Sequence, residues 1–303
     1  MKLGIIGGAG LLGSTTAFRV ALLGIVDEIV LIDIKENMLK SHVMDLEQAI
    51  SEYNQTRITA GKWSDLKGCD IILLSASVPE TNVKSRIEYL GDNLQIIQTV
   101  CSYIKEYCPN AVLINATNPV DVINLAIQKL TGAKRNQVIG FSRNDKLRMR
   151  WAIAKVLGVN TTDVSAICIG EHGEKQVPLF SRVFVKGEAR ELTEDEKRKV
   201  LFETSNWFTN YQSLKSGRTS GWTSALGLAK LVQCIIEDSD EIIPCSVILE
   251  GEYGFYGISL GVPVRLGSCG VKQIIEYPLT KGELEALKEA AEKIRRLRED
   301  YIK

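Results

Sequence analysis

A doubly wound parallel α/β sheet followed by an α+β region is the fold class that three features of this 303-residue chain predict. Short apolar runs at 3–6, 29–32, 71–74 and 111–114 lack sustained alternation, as expected of strands buried on both faces of a parallel sheet. Helix-length segments at 11–23, 37–51 and 84–107 lie between them, which gives βαβ repetition. The first strand enters the first helix through Gly8-Ala9-Gly10-Leu11-Leu12-Gly13.

Each element has a local reason. Residues 4–26 hold one charge, Arg19, and so imitate a secretory leader, but the stretch contains six glycines and runs directly into another strand at 28–34. Inserting that arginine in a bilayer would cost about 2.5 to 3.5 kcal/mol. A buried strand, a glycine turn and a packed helix account for the same composition. After about residue 140 the pattern is less regular, with strand-like runs at 177–185 and 258–266. A last helix begins at Lys281, where Thr280 and Glu283 have capping-box spacing and Leu284, Leu287, Ala291, Ile294 and Leu297 share one face. No repeat, low-complexity tract or linker interrupts the chain. The expected division is a dinucleotide-binding domain over 1–140 and a catalytic domain over 141–303, in one compact body.

The charge balance of 37 basic against 37 acidic residues has no like-charged block, so it lacks the footprint of a nucleic-acid or anionic-membrane partner. A small molecule is the expected partner. Seven cysteines without a Cys-x-x-Cys pair make neither a disulfide framework nor a metal site, and point to free thiols in a reducing, cytoplasmic compartment.

The glycine loop acquires meaning from Asp33, which ends the second strand 33 − 13 = 20 residues after Gly13. Gly8 is expected to allow the tight turn, Gly10 to let backbone amides approach a pyrophosphate, and Gly13 to let the helix lie close to the strand. Asp33 can accept hydrogen bonds from ribose hydroxyls and would repel a 2′-phosphate, so this Rossmann-type half should take NAD rather than NADP. Lys35 is the neighbouring cation that could offset it.

His172 is one of only two histidines and sits in Ile169-Gly170-Glu171-His172-Gly173-Glu174. It is the natural candidate for acid/base work near neutral pH. Upstream lie Asn118-Pro119-Val120-Asp121 and Asp145-Lys146-Leu147-Arg148. Taken alone, Asp145 and Arg148 read as a helical i, i+3 ion pair; beside the histidine they suggest carboxylate recognition. His42, on a predicted helix, reads as a solvated or interface residue.

Together these motifs resemble the lactate/malate dehydrogenase family nearly end to end. The pieces are the 8–13 loop, Asp33, Asp45-Leu46, Ala116-Thr117-Asn118-Pro119-Val120-Asp121, Asp145-x-x-Arg148, Gly170-Glu171-His172-Gly173 and Gly261-Val262-Pro263. The resemblance implies an NAD-dependent L-2-hydroxy acid dehydrogenase, closer to the lactate branch. In it His172 would donate the proton to the substrate carbonyl, Asp145 orient it, and Arg148 clamp the substrate carboxylate. Arg86 would polarise the carbonyl, Asn118 would touch nicotinamide and substrate, and Thr117 would flank the cofactor. The chemistry suits those residue types: hydride addition to a 2-oxo acid puts negative charge on the carbonyl oxygen, which a guanidinium stabilises and an imidazolium neutralises. A buried Asp145 would favour the imidazolium and fix its tautomer.

Departures from the family pattern bear on substrate. Glu80 stands six residues before Arg86, where malate enzymes carry arginine and lactate enzymes typically glutamine. At about 5 Å and an effective dielectric near 20, its repulsion of a second carboxylate is on the order of 3 kcal/mol, around a hundredfold. Oxaloacetate is therefore disfavoured. Ser77 and Asn82-Val83-Lys84 also replace glycine-containing family sequence, and Ser220 falls at a pocket position usually held by threonine. Arg150 matches one arginine of the fructose-bisphosphate site of regulated lactate enzymes, but Ser165 replaces its histidine, so no such activation is expected. The resemblance implies a homo-oligomer, dimer or tetramer, with no long N-terminal arm before the first strand. Competing readings are a malate dehydrogenase with a divergent specificity loop and a catalytically silent NAD-binding protein.

Overall fold

The computed structural model describes residues 1–78, 89–216 and 220–302. Strand β1 (Lys2–Ile6) leads to α1 (Leu11–Leu23), β2 (Glu28–Ile32), α2 (Glu36–Ile50), β3 (Arg57–Ala60) and β4 (Ile71–Leu74). Then come α3 (Leu90–Tyr107), β5 (Val112–Asn115), α4 (Val120–Thr131) and β6 (Val138–Gly140). The six strands pair in parallel in the order β3-β2-β1-β4-β5-β6, so the chain winds outward from β1 in both directions. Leu3, Ile5, Ile29, Leu31, Ile72 and Ile114 are wholly buried, which is why these strands read as unbroken apolar runs.

The second half supplies α5 (Arg143–Leu157), β7 (Val164–Ser165), β8 (Cys168–Gly170), β9 (Gln176–Pro178), β10 (Phe184–Val185) and β11 (Glu188–Ala189). It continues with α6 (Glu194–Ser213), α7 (Gly221–Ile236), β12 (Ile243–Glu250), β13 (Tyr256–Gly267), β14 (Gly270–Ile274) and α8 (Lys281–Tyr301). Strand β12 joins β6 antiparallel, with Ser246 opposite Gly140, and β13, β8 and β9 extend the sheet beyond it. Parallel and antiparallel parts are thus one sheet of 11 strands among the described residues. Strands β11-β10-β7 form a separate small sheet.

The elements do not all coincide with the expected ones. The run 177–185 is not one strand: β9 stops at Pro178, which has no N–H for the ladder, a 3-10 turn spans Phe180–Arg182, and β10 joins the small sheet. Strand β3 was not anticipated, because only Ile58 of its four residues is fully buried and no apolar run marks it. The helix expected at 84–107 is described from Leu90, its first residues lying outside the described residues. Helix α8 has the expected cap: the Thr280 hydroxyl accepts from the Glu283 N–H and the Glu283 carboxylate accepts from the Thr280 N–H. A second, smaller core of Met149, Ala152, Ile153, Val164 and Val200 joins α5 to α6.

Candidate active site

The candidate cofactor residues follow β1, β2 and β5, at the carboxyl ends of the parallel strands beside the point where the strand order reverses between β1 and β4. In the first loop the turn is made one residue earlier than the motif suggests. Gly7, not Gly8, has positive φ, 92°, and its N–H and that of Gly8 both donate to the Ile32 carbonyl. Gly8 is required for a different reason, since a Cβ there would lie 2.9 Å from Leu31 Cβ on β2. Gly13 lets α1 settle onto the turn, because a Cβ would fall 2.3 Å from the Gly7 carbonyl oxygen. Asp33 is locked beside this loop, its Oδ2 accepting from Ala9 N–H and its Oδ1 from Lys35 N–H, each at 3.0 Å. A tight amide-bearing cradle with a fixed carboxylate at its rim fits a dinucleotide.

His42 is not fully solvated. It is half-buried with Nε2 3.3 Å from the Ala9 carbonyl, because α2 starts just after Asp33 and lies against the loop.

The loops after β4 and β5 are tied together. Thr117 Oγ1 donates to the Ala76 carbonyl, Asn93 on α3 accepts from Val78 N–H, and Asn93 Nδ2 donates to the Asn118 carbonyl. The Asn118–Pro119 bond is cis. These bonds fix Asn118 while its side-chain Oδ1 is buried with no hydrogen-bond partner among the described residues. An acceptor kept in that state suits the amide of a nicotinamide ring.

His172 follows β8, Asp145 lies in the first turn of α5, and the two meet: His172 Nδ1 is 2.6 Å from Asp145 Oδ2, with both residues buried. Gln176 Nε2 donates to Asp145 Oδ1 at 3.1 Å. Arg148, one turn along α5, has a terminal nitrogen 3.6 Å from the same oxygen. A carboxylate paired with Nδ1 leaves proton transfer to Nε2. The arrangement can hold a proton, orient it, and bind an anion beside it.

A second carboxylate supports the histidine from behind. Asp121, on α4, accepts from the His172 backbone N–H at 2.8 Å through Oδ2 and from Ser246 Oγ at 2.5 Å through Oδ1. Ser246 on β12, Ser259 on β13 and the Asn124 amide on α4 complete a closed polar network that ties α4 to the antiparallel strands. Burial pushes the Asp121 carboxyl up to about 7, against the opposing effect of its Ser246 and His172 hydrogen bonds. Glu171 is braced from a third side, with Oε1 2.7 Å from Lys293 Nζ on α8 and Oε2 accepting from Lys175 N–H.

Asp121, Gln176 and Lys293 received no role from the sequence. Only Asp121 left a signal there, as a lone carboxylate in the apolar run Val120-Asp121-Val122-Ile123. Arg86 and Glu80 lie outside the described residues. Ser220 caps α7; its carbonyl accepts from Ser224 Oγ, which in turn accepts from the Asn144 amide beside Asp145. Arg150 is held by the Val164 and Thr161 carbonyls. All seven cysteines are free thiols, and no group of three metal-ligating side chains occurs among the described residues. No helix among them is long and apolar enough to cross a membrane.

Residues 1–140 match the family model of the lactate/malate dehydrogenase NAD binding domain, and 143–301 that of the lactate/malate dehydrogenase alpha/beta C-terminal domain. A malate dehydrogenase of Halobacterium salinarum is 35% identical over 296 residues, 97% of each chain. Two solved structures align at a TM-score of 0.92. One is a lactate dehydrogenase of Cryptosporidium parvum complexed with lactic acid and nicotinamide adenine dinucleotide, 31% identical, covering 99% of this chain and 97% of that one. The other is a malate dehydrogenase of Aeropyrum pernix, 33% identical, covering 98% and 97%.

Proposed function

The chain belongs to the lactate/malate dehydrogenase family, an NAD-dependent hydroxy acid dehydrogenase, and from that premise we propose that it reduces 2-oxo acids carrying a single carboxylate. The observation that supports the reaction class is the 2.6 Å pairing of His172 Nδ1 with buried Asp145, with Arg148 adjoining; the preference for a single carboxylate rests on Glu80 in the sequence. Gly8, Gly10 and Gly13 would cradle the dinucleotide, Asp33 would hold its ribose and Thr117 and Asn118 its nicotinamide end; so bound, it would supply the hydride as NADH or accept it as NAD. Arg148 binds the substrate carboxylate through its planar fork. His172, held by Asp145, gives its Nε2 proton to the carbonyl oxygen as charge develops there, and takes it back in the reverse direction. Arg86 adds its positive charge to that oxygen. The division between dinucleotide-binding and catalytic portions falls at 140/141 in this reading, and the compartment is the cytoplasm.

Specificity rests on Glu80, whose charge opposes a second carboxylate and has no counterpart penalty for pyruvate or a neutral homologue. Malate dehydrogenase activity is the second reading, favoured by the names of the relatives at 35% and 33% identity. Loss of NADH absorbance with pyruvate, 2-oxobutyrate and oxaloacetate separates them. We expect oxaloacetate to be the poorest of the three and Glu80→Arg to reverse the order. Faster reduction of oxaloacetate than of every monocarboxylate by the unmodified enzyme would establish the malate reading, with another cation, Lys84 first, on the second carboxylate. No reduction of any 2-oxo acid would leave a silent NAD-binding protein.

The assembly in this reading is a homo-oligomer. Leu11 and Phe18 on α1, Met38 and Met44 on α2, and Trp222 and Leu226 on α7 are exposed on helices that pack side by side. Arg19, Arg143 and Lys230 line the groove at Trp222, while α2 exposes Asp45 and Glu47, a charge match for a second copy of the chain.

A further inference from the structure

Helix α6 carries Trp207 and Tyr211 one turn apart, their rings stacked at 5.2 Å and 16°. Helix α6 packs against α5, and the guanidinium carbon of Arg148 lies over the Trp207 ring, 4.4 Å from its centroid. The same guanidinium approaches Asp145 only to 3.6 Å, an ion pair too long to be a hydrogen bond. Left to itself, a cation beside a buried carboxylate closes to a charge-assisted hydrogen bond, the stronger interaction. The Gln176 amide already occupies Asp145 Oδ1, the oxygen that Arg148 approaches, and the indole face on which the guanidinium lies is a contact placed to keep Arg148 from closing on it.

We propose that Trp207 is a positioning residue for substrate recognition: its ring anchors the Arg148 guanidinium short of Asp145, so that the arginine fork is kept for the substrate carboxylate. The inference rests on Arg148 being the carboxylate clamp. Collapse of Arg148 onto Asp145 would remove the substrate's partner. The side chain of Arg148 is only 15% exposed, so water does little to weaken its attraction to the ring. A shielded contact of this kind is worth about 5- to 30-fold in a binding constant.

The test uses Trp207→Leu, Trp207→Phe and Arg148→Lys in the NADH complex. KM and kcat are measured with pyruvate, 2-oxobutyrate and oxaloacetate, together with calorimetric binding of oxamate, a non-reducible isostere of pyruvate. The Leu variant fills space without a π face. It should raise KM for every 2-oxo acid reduced, and weaken oxamate, by about 5- to 30-fold, with kcat changed less than about threefold and NADH affinity unaltered. The Phe variant should stay within about threefold of wild type on every measure. If the Leu variant binds oxamate like wild type while Arg148→Lys loses it, the clamp stands and Trp207 merely packs. Equal losses in the Leu and Phe variants indicate a volume effect and also overturn the inference. If Arg148→Lys itself leaves KM and oxamate binding unchanged, the clamp reading falls and the role of Trp207 falls with it.

Discussion

Replacing Asp121 with Asn removes a carboxyl that burial raises from 3.8 to about 7. Between those two pH values the folded protein keeps a proton that the unfolded chain has already released, so this residue lowers stability as pH rises through the window. Each pH unit there costs about 1.4 kcal/mol, and the effect levels off above pH 7. From pH 5 to pH 8 the wild type should therefore lose about 2 to 3 kcal/mol on account of Asp121 alone. The Asn variant has no such proton, while Asp145, Glu171 and Lys293 are common to both proteins and cancel in the difference. Urea unfolding of the cofactor-free proteins at pH 5, 6, 7 and 8 measures it: the stability of the variant relative to wild type should climb by about 2 to 3 kcal/mol across the series. Parallel stability profiles would refute the reasoning, because they would mean that Asp121 is already ionised in the fold and that its Ser246 and His172 hydrogen bonds outweigh desolvation.

His172→Asn should lower turnover by about a hundredfold or more with NADH binding preserved, as expected for loss of a general acid, and near wild-type turnover would remove the histidine from the mechanism. Asp33 should make NADH far better than NADPH, judged both by affinity and by catalytic efficiency; equal values for the two cofactors would show that Lys35 or another cation compensates the 2′-phosphate.

What could be read from the sequence was local, and what could not was built from distant parts of the chain. The first strand, glycine loop, helix and second strand with Asp33 announce themselves because each depends on neighbours within a few residues. The placement of the turn at Gly7 rather than Gly8 escaped because φ is set by the Ile32 carbonyl, to which both their amides donate, 25 and 24 residues away in sequence by 32 − 7 and 32 − 8. Asp145 and His172 were visible as a pair only through family spacing, whereas their 2.6 Å contact needs α5 and β8 to converge. Asp121 stands inside a recognisable motif, yet its role is not legible there, since its partners are 51 and 125 residues downstream. Trp207 gave no sign at all: an aromatic on an amphipathic helix reads as packing until the neighbouring helix is seen to present a guanidinium to it. The break at Pro178 is the opposite case, a local signal passed over in favour of a long apolar run.

The β6–β12 seam governs how this molecule can move. Enzymes assembled from two lobes often set the distance between cofactor and acid by swinging one lobe about a hinge. Here the strand bearing Ser246 pairs with the strand ending at Gly140, residue against residue, and the polar network from Asp121 on α4 to Ser246 and Ser259 on β12 and β13 braces the same region. A swing would have to part that pairing and strip a buried carboxylate of its partners at once. The loop bearing Asn118 and the strand leading to His172 are therefore mounted on a common chassis. Adaptation to a new 2-oxo acid is then a matter for side chains and loops around that chassis, while substitutions along the seam should be felt as altered reach between hydride and proton.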